Sequence, residues 1–249
     1  MLRLVGLQLL HTMGNLTSAL LSTRKELHAH LRQLLVSPDA LAEIAARSYR
    51  HDNGFAKIVL RSGQHGRGAV RLHVWPADGG ADRNIHNHCW DFASIVLAGR
   101  LEFEEFVVDG ESAVNARHYV YDAATDFDYT LRLRGATRLR SVARGIRGAG
   151  DAYEMSSTAL HRTAGVPGAV TVTLLCQGPH RRDFADVYVT RADGVPTRCR
   201  NTPLGTEELC ALIDDITKIT AREPGRVRHR ASPIHPLRPR AESMPSTTA

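Results

Sequence analysis

Two histidines separated by one residue, His86 and His88, lie between two segments whose composition predicts β-strands. Side chains alternate between the two faces of a strand, so such a pair on a strand points both imidazoles to one side, where they could bind the same metal ion. The chain holds 13 histidines in 249 residues, so the spacing alone is weak evidence. His28 and His30 repeat it inside a predicted helix, where the side chains diverge by about 200° and cannot chelate together.

A third histidine, His161, lies in another strand-like segment, residues 155–163, which precedes a Gly-Val-Pro-Gly turn. In a small barrel, separated strands can bring their inward side chains together. Three neutral imidazoles leave coordination positions open for a substrate and dioxygen, a geometry that suits Fe(II) and leaves other divalent metals open. The sequence therefore predicts a metal site formed by His86, His88 and His161.

The elements that must position these histidines are short strands between helices. Leucines recur at helical spacing up to Val36, and Ser37-Pro38 predicts the start of a second helix. From Phe55 onward, short β-branched runs alternate with glycine-bearing turns, a pattern typical of a sandwich or barrel. A last helix begins near Thr206. The predicted units are an N-terminal helical layer (1–50), a β-barrel (51–203), a C-terminal helix (204–221) and a disordered basic tail (222–249).

The residues around these histidines resemble a known family. The matching stretches are Trp75, Ile85-His86-Asn87-His88, the run from Leu97 to Glu102, and Leu160-His161-Arg162. They resemble the cupin barrels, and more closely the cysteine dioxygenase branch of that superfamily. The resemblance implies a mainly β, double-stranded β-helix fold with mononuclear non-haem Fe(II) on His86, His88 and His161. It also implies oxidation of a small amino-acid-like or thiol substrate by O2.

The chain also departs from the family pattern. The usual cupin glutamate is replaced by Phe92 and Ala93, which favours the three-histidine thiol dioxygenases. The catalytic tyrosine of that branch has no counterpart in the stretch 173–177, and its carboxylate-binding arginine falls near Lys57. The three predicted metal ligands therefore resemble those of the family, whereas the residues that bind the substrate in the family are not matched.

Five further side chains are candidates for the site, each with an ordinary structural alternative. Asp91 would be a fourth ligand or base if a bulge turned it inward, or else a solvent-facing carboxylate. Tyr153 and Trp75 would line the pocket, or simply form core. Lys57 would bind a substrate carboxylate only if it points into the barrel. Arg162 directly follows a ligand, so a regular strand turns it outward, toward a surface salt bridge rather than the substrate.

Charge and composition limit the other functions. The net charge is +6, but six arginines against two glutamates beyond residue 221 contribute +4, leaving about +2 for the rest. A run of alternating arginines predicts a solvated strand face, or else a surface that binds a phosphate or an acidic partner; it comprises the arginines at 132, 134, 138, 140, 144 and 147. No apolar run would span a membrane, and no CxxC pair occurs. We expect a cytoplasmic enzyme with a small-molecule substrate and O2. Two other functions stay open: a metal-dependent isomerase or hydrolase, and a non-catalytic binding protein. Homodimerisation also stays open, and nucleic acid is disfavoured as a partner.

Overall fold

The computed structural model describes residues 13–63, 68–79, 84–108, 114–123, 125, 127–190, 198–222 and 228–229. The helices are α1 (Met13–Leu35), α2 (Pro38–Ala45) and α3 (Thr206–Arg222). The strands are β1 (Tyr49–His51), β2 (Phe55–Arg61), β3 (Val70–Trp75), β4 (Ile85–His86), β5 (Trp90–Ala98), β6 (Arg100–Val108), β7 (Val114–Ala123), β8 (Asp128–Gly148), β9 (Asp151–Met155), β10 (Leu160–Gly165), β11 (Thr171–His180), β12 (Ala185–Val189), β13 (Arg198–Arg200), β14 (Thr202–Pro203) and β15 (Arg228–His229).

The strands form two sheets. The first has the order β14-β1-β2-β3-β11-β5-β9-β15, and the second has the order β13-β8-β6-β10-β4-β12-β7, with β8 also pairing with β7. All described pairs are antiparallel except β15 with β9. The prediction of a mainly β barrel with N-terminal helices and one C-terminal helix is confirmed.

The three helices cover one face of the first sheet. Leucines at helical spacing on α1, such as Leu20 and Leu31, are fully buried, as are Leu209 and Ile213 on α3. They pack against the strand residues that point to this side, including Ile58, Leu72, Ile95 and Leu174. Burial of this apolar face anchors the helical layer to the barrel.

The opposite face of the first sheet points into the barrel. On β5, Ala93 and Ile95 belong to the helix-facing cluster, whereas the alternate residues Phe92 and Val96 join an interior cluster. Leu101 of the second sheet completes this interior cluster, so the two sheets enclose it. Side chains that alternate with the helix-facing residues therefore line the interior.

Several elements differ from the sequence predictions. The segment 155–163 is not one strand, because a turn at 156–159 separates β9 from β10 and places His161 on β10. In place of one of the expected short strands, β8 runs from Asp128 to Gly148. Within the predicted tail, Arg228 and His229 pair with β9, and residues 223–227 and 230–249 lie outside the described residues. None of the four cysteines, all of which lie in the described part of the chain, forms a disulfide. Among the described helices, none has the length and apolar content that a membrane span requires.

Candidate metal centre

The second sheet brings His86 and His161 side by side. His86 ends β4, His161 lies on β10, and the two residues are direct cross-strand partners. His88 follows β4, and its ring centroid lies 4.9 Å from that of His86 and 5.1 Å from that of His161. One ring nitrogen from each of the three histidines lies within 4.8 Å of the other two. One ion could contact all three after small side-chain rotations.

Hydrogen bonds orient two of the rings for metal binding. Nδ1 of His86 lies 3.2 Å from the carbonyl oxygen of Asn84, and Nδ1 of His161 lies 3.2 Å from that of Ala159. A carbonyl only accepts, so each Nδ1 carries the hydrogen and donates it, which leaves each Nε2 lone pair available to a metal. Metal-binding histidines commonly have such a second partner, which fixes the tautomer and ring orientation.

Burial keeps the imidazoles of His88 and His161 neutral, the form that binds a metal. It lowers the pKa of His161 to about 3, an effect to which the neighbouring His86 adds. Burial, with His86 and His161 nearby, also holds the pKa of His88 well below its usual value. Three imidazole nitrogen donors fit a divalent transition metal, and among the described residues no carboxylate joins the cluster.

A buried network fixes the backbone between the ligands. Asn87 donates from Nδ2 to Oδ2 of Asp186 at 2.9 Å, and its Oδ1 accepts the Asp186 backbone N–H at 2.7 Å. Asp186 also accepts from Arg182 at 2.6 Å and contacts Nε2 of His118 at 2.8 Å. Because Asn87 stands between His86 and His88, this network sets the separation of the two rings.

We expect Asn87→Ala to weaken metal binding by about tenfold, the lower end of the effect of residues that orient metal ligands, because Asn87 acts through the backbone between His86 and His88. The variant loses both side-chain bonds to Asp186 while leaving all three histidines in place. Anaerobic Fe(II) titration followed by calorimetry measures the affinity. Asn115→Ala, at an exposed position on β7, is the matched control. Equal affinities for the two variants would contradict a positioning role for Asn87.

Aromatic rings form one wall of the centre. The Trp90 ring stacks on His88 with centroids 4.4 Å apart and planes 16° apart. Phe92 meets His88 edge-on at 5.3 Å and lies 6.1 Å from His161. Alternation along β5 places Trp90 and Phe92 on the interior side. These rings limit the access of water to the metal-binding nitrogens.

Three of the sequence candidates also face the interior. Trp75 and Tyr153 are 2% and 5% exposed and belong to the interior cluster. Phe92 lies between Tyr153 and His161, with centroids 6.1 Å from each. Lys57 alternates with Phe55 of the same cluster, and its Nζ donates to the Tyr49 hydroxyl at 2.7 Å. Lys57 therefore points into the barrel, the orientation that a substrate contact requires.

The other two candidates lie away from the cluster. Asp91 accepts the backbone N–H of Ser157 at 2.7 Å and the Nε–H of Arg181 at 3.1 Å, so its carboxylate holds the turn that precedes β10. Arg162 faces outward, as expected from its place after a ligand, and it binds Glu104 through Nε at 2.9 Å. The structure brings neither side chain to the three histidines.

Acid is expected to destabilise the metal-free protein below about pH 6.5. Burial lowers the pKa of His51 and of His161 to about 3, whereas both titrate near their ordinary value when unfolded. Between these values the unfolded chain binds more protons, so the free energy of unfolding falls as pH falls, by up to about 1.4 kcal/mol per unit per histidine. Urea denaturation at pH 7, 6 and 5 measures this, and His51→Gln should reduce the slope. A free energy that does not change with pH would contradict it.

Comparisons with known proteins show only remote likenesses. No protein-family model matches the chain, and no curated protein sequence matches it. The Drosophila melanogaster CENP-C structure bound to CAL1 is similar at 10% identity and TM-score 0.36, covering 62% of this chain and 98% of that one. A putative ethanolamine utilization protein Q from Salmonella typhimurium is similar at 16% identity and TM-score 0.30, covering 53% and 78% of the two chains.

Oxalate decarboxylase from Bacillus subtilis is similar at 14% identity and TM-score 0.32, covering 52% of this chain and 26% of that chain. A cupin superfamily protein from Desulfitobacterium hafniense is similar at 12% identity and TM-score 0.31, covering 55% and 88% of the two chains. Because these sequence identities and TM-scores are low, the functional argument depends on the geometry of the site itself.

Proposed function

We propose that the chain is a mononuclear non-haem Fe(II) oxygenase of the cupin type that oxidises a small amino-acid-like or thiol substrate with O2. The observation that supports the proposal is the convergence of three imidazoles inside the barrel, with the Nδ1–H groups of His86 and His161 engaged by carbonyls. A three-histidine set without a carboxylate matches the branch that the sequence resembles. It leaves coordination positions open on a bound metal.

The residues of this chain would hold and shield the reacting groups. His86, His88 and His161 would bind the metal, and iron, when bound, supplies the redox chemistry that joins substrate to dioxygen. Trp90 and Phe92 cover the imidazole rings and exclude water from that side of the site. Exclusion of water strengthens the electrostatic contacts with a bound substrate.

Two interior side chains are proposed to act on the substrate. Burial raises the pKa of Tyr153, so its hydroxyl stays protonated and can donate a hydrogen bond. Lys57 offers an ammonium on the interior face of β2, where it would attract an anionic substrate group. Trp75 supplies apolar contact beside them. Asp91 and Arg162 are omitted from this set because their partners hold them elsewhere.

Oxygen uptake after anaerobic reconstitution tests the proposal. The protein is purified without added metal, its metal content is measured, Fe(II) is added, and thiols and small amino acids are screened with an oxygen electrode. We expect uptake with at least one compound, and no uptake by His161→Ala treated identically. Absence of uptake across the panel by fully iron-loaded protein would overturn the oxygenase assignment. Full occupancy by zinc with no oxygen uptake would favour a metal-dependent isomerase or hydrolase.

A further inference from the structure

Two alternate residues of β3 carry polar ring nitrogens into the barrel interior. Leu72 and Val74 face the helices, whereas Trp75 belongs to the interior cluster. Because alternate residues share a face of a strand, His73 points inward beside Trp75. The two rings are neighbours, with centroids 5.8 Å apart and planes 81° apart. They place an imidazole and an indole side by side on the inner face of the first sheet.

One nitrogen of each ring is buried without a hydrogen-bond partner. Nε2 of His73 and Nε1 of Trp75 are shielded from solvent, and no polar atom in the described part of the chain bonds to either of them. The Trp75 side chain is among the most buried of the interior, with 2% of the residue exposed. Buried polar atoms nearly always have a partner, because an unpaired one has lost its hydrogen bonds to water without replacement. The two nitrogens are therefore placed to bond a polar group that enters the interior.

Apolar packing fixes the two rings without satisfying their nitrogens. The Phe55 centroid lies 5.1 Å from that of His73 and 5.2 Å from that of Trp75, and a phenyl ring has no nitrogen or oxygen atom to offer. From the second sheet, β10 packs closely on the indole: a Cβ added at Gly165 would lie 2.7 Å from Cβ of Trp75. Because β10 also carries His161, the indole is held against the strand of a proposed metal ligand.

The His73 ring lies within electrostatic reach of the candidate metal centre. Burial holds its pKa well below the usual value, and the neighbours that add to this effect are, in order, Lys57, Arg71, His51 and His86. His86 is a proposed ligand on the opposite sheet, so the two imidazoles face the same interior. A group bonded to His73 would therefore share this interior with the atoms bound to a metal.

A hydroxyl group satisfies both nitrogens in either tautomer of His73. The indole N–H only donates, whereas a nitrogen of a neutral imidazole either donates or accepts. A hydroxyl oxygen accepts from Trp75 through one lone pair; it then accepts from His73 through the other, or donates its hydrogen to it. One oxygen reaches two nitrogens that lie up to about 5.8 Å apart, twice the usual N···O length. A carboxylate has no hydrogen to donate, and a methyl group bonds to neither nitrogen.

We propose that His73 and Trp75 form a hydroxyl subsite, which binds a hydroxyl group on the part of the substrate that does not contact the metal. This inference rests on the proposed function and narrows its substrate to hydroxylated thiols or amino acids. Without substrate, a water molecule can occupy the subsite. A substrate hydroxyl reproduces the hydrogen bonds of that water, whereas a methyl group displaces the water and leaves both nitrogens unpaired.

Binding of isosteric ligand pairs tests the proposal. In each pair a methyl group replaces the hydroxyl: 3-mercapto-1-propanol with butane-1-thiol, 4-mercapto-1-butanol with pentane-1-thiol, and homoserine with norvaline. Calorimetric titration of the Fe(II)-loaded protein without oxygen should show at least one hydroxylated compound binding tighter than its methyl partner by about tenfold or more. If none of the pairs shows a preference for the hydroxyl, the proposal is overturned.

The indole N–H of Trp75 reports its own hydrogen bond. The chain has two tryptophans, so the nuclear magnetic resonance spectrum of isotopically labelled protein contains two indole N–H signals, and Trp75→Phe identifies the one from Trp75. Zn(II), which is diamagnetic, replaces iron in this measurement. We expect the Trp75 signal further downfield with the hydroxylated member of a pair than with the methyl member, and the Trp90 signal at the same position with both. Equal positions of the Trp75 signal in the two complexes would contradict the subsite.

Variants of the two rings locate the preference. His73→Phe and Trp75→Phe keep an aromatic ring and remove the nitrogen, so each should reduce the preference for the hydroxyl by about fivefold. His28→Phe is the matched control, because His28 lies on α1 and its Nε2 bonds the Thr217 carbonyl, and it should keep the full preference. Circular dichroism verifies folding, and if one ring variant fails to fold, the other carries the test. A preference that is unchanged in the folded ring variants would overturn the assignment.

Two outcomes separate this inference from the oxygenase proposal. If hydroxylated ligands bind selectively but none of them leads to oxygen uptake, the oxygenase assignment fails and the hydroxyl subsite stands. If oxygen uptake has the same kcat/KM with the methyl member of each pair as with the hydroxylated member, the hydroxyl subsite fails and the oxygenase assignment stands.

Discussion

His161→Ala is expected to weaken metal binding by more than about 100-fold, beyond the effect typical of outer partners. The variant removes one of three nitrogen donors and the ring whose Nδ1–H is fixed by the Ala159 carbonyl. His86 and His88 remain, but two imidazoles without a carboxylate form a weak site for a divalent ion. Anaerobic titration with Fe(II), and with Co(II) as a spectroscopic probe, measures the loss.

The chain supplies a matched control for this experiment. His28 and His30 have the same one-residue spacing as His86 and His88, but they lie on α1, where side chains two residues apart diverge. His28 instead donates from Nε2 to the Thr217 carbonyl at 3.2 Å. We expect His28→Ala to bind metal like the unmodified protein. Unchanged metal affinity in His161→Ala, or an equal loss in both variants, would contradict the three-histidine site.

The local part of the site could be predicted from the spacing of His86 and His88, which indicates a shared face. The strand is shorter than this reasoning expects, because β4 ends at His86 and His88 lies just beyond it. A strand-like segment and the resemblance of its flanking residues both indicate His161, whereas its pairing with His86 follows from the arrangement of β4 and β10. Periodicity relates only residues that are close in sequence, so it does not predict that His86 and His161 pair.

Other parts depend on contacts between distant segments, which a single sequence does not reveal. The interior position of Arg147 is the clearest case. It was grouped with the exposed arginines of β8, but it lies three residues after Arg144, so alternation turns it to the opposite face, where it is 3% exposed. The bonds between Asn87 and Asp186 join residues 99 positions apart. Polar side chains of this kind look like surface residues until the fold pairs them.

The corner between the two sheets depends on Gly99. This residue joins β5 of the first sheet to β6 of the second and has φ +73°, a left-handed conformation that side chains other than glycine rarely adopt. A Cβ there would lie 2.5 Å from the Val170 carbonyl oxygen and 2.8 Å from the Thr171 Cα. Arg100 and Thr171 lock the same corner, since Thr171 Oγ1 accepts from the Arg100 N–H at 3.1 Å and donates to its carbonyl at 2.9 Å.

Gly99→Ala is therefore expected to lower the free energy of unfolding by about 3 kcal/mol, of which about 1 kcal/mol is the left-handed backbone and the rest is the clash. Gly68→Ala separates these two costs, because Gly68 has nearly the same φ, +69°, and nothing within 4 Å of an added Cβ. We expect it to lose only about 1 kcal/mol. Urea denaturation of both variants measures the difference, and equal losses would show that contact with β11 does not restrict this corner. Because β6 carries Glu105 beside His161, Gly99→Ala should also weaken metal binding, whereas Gly68→Ala should not.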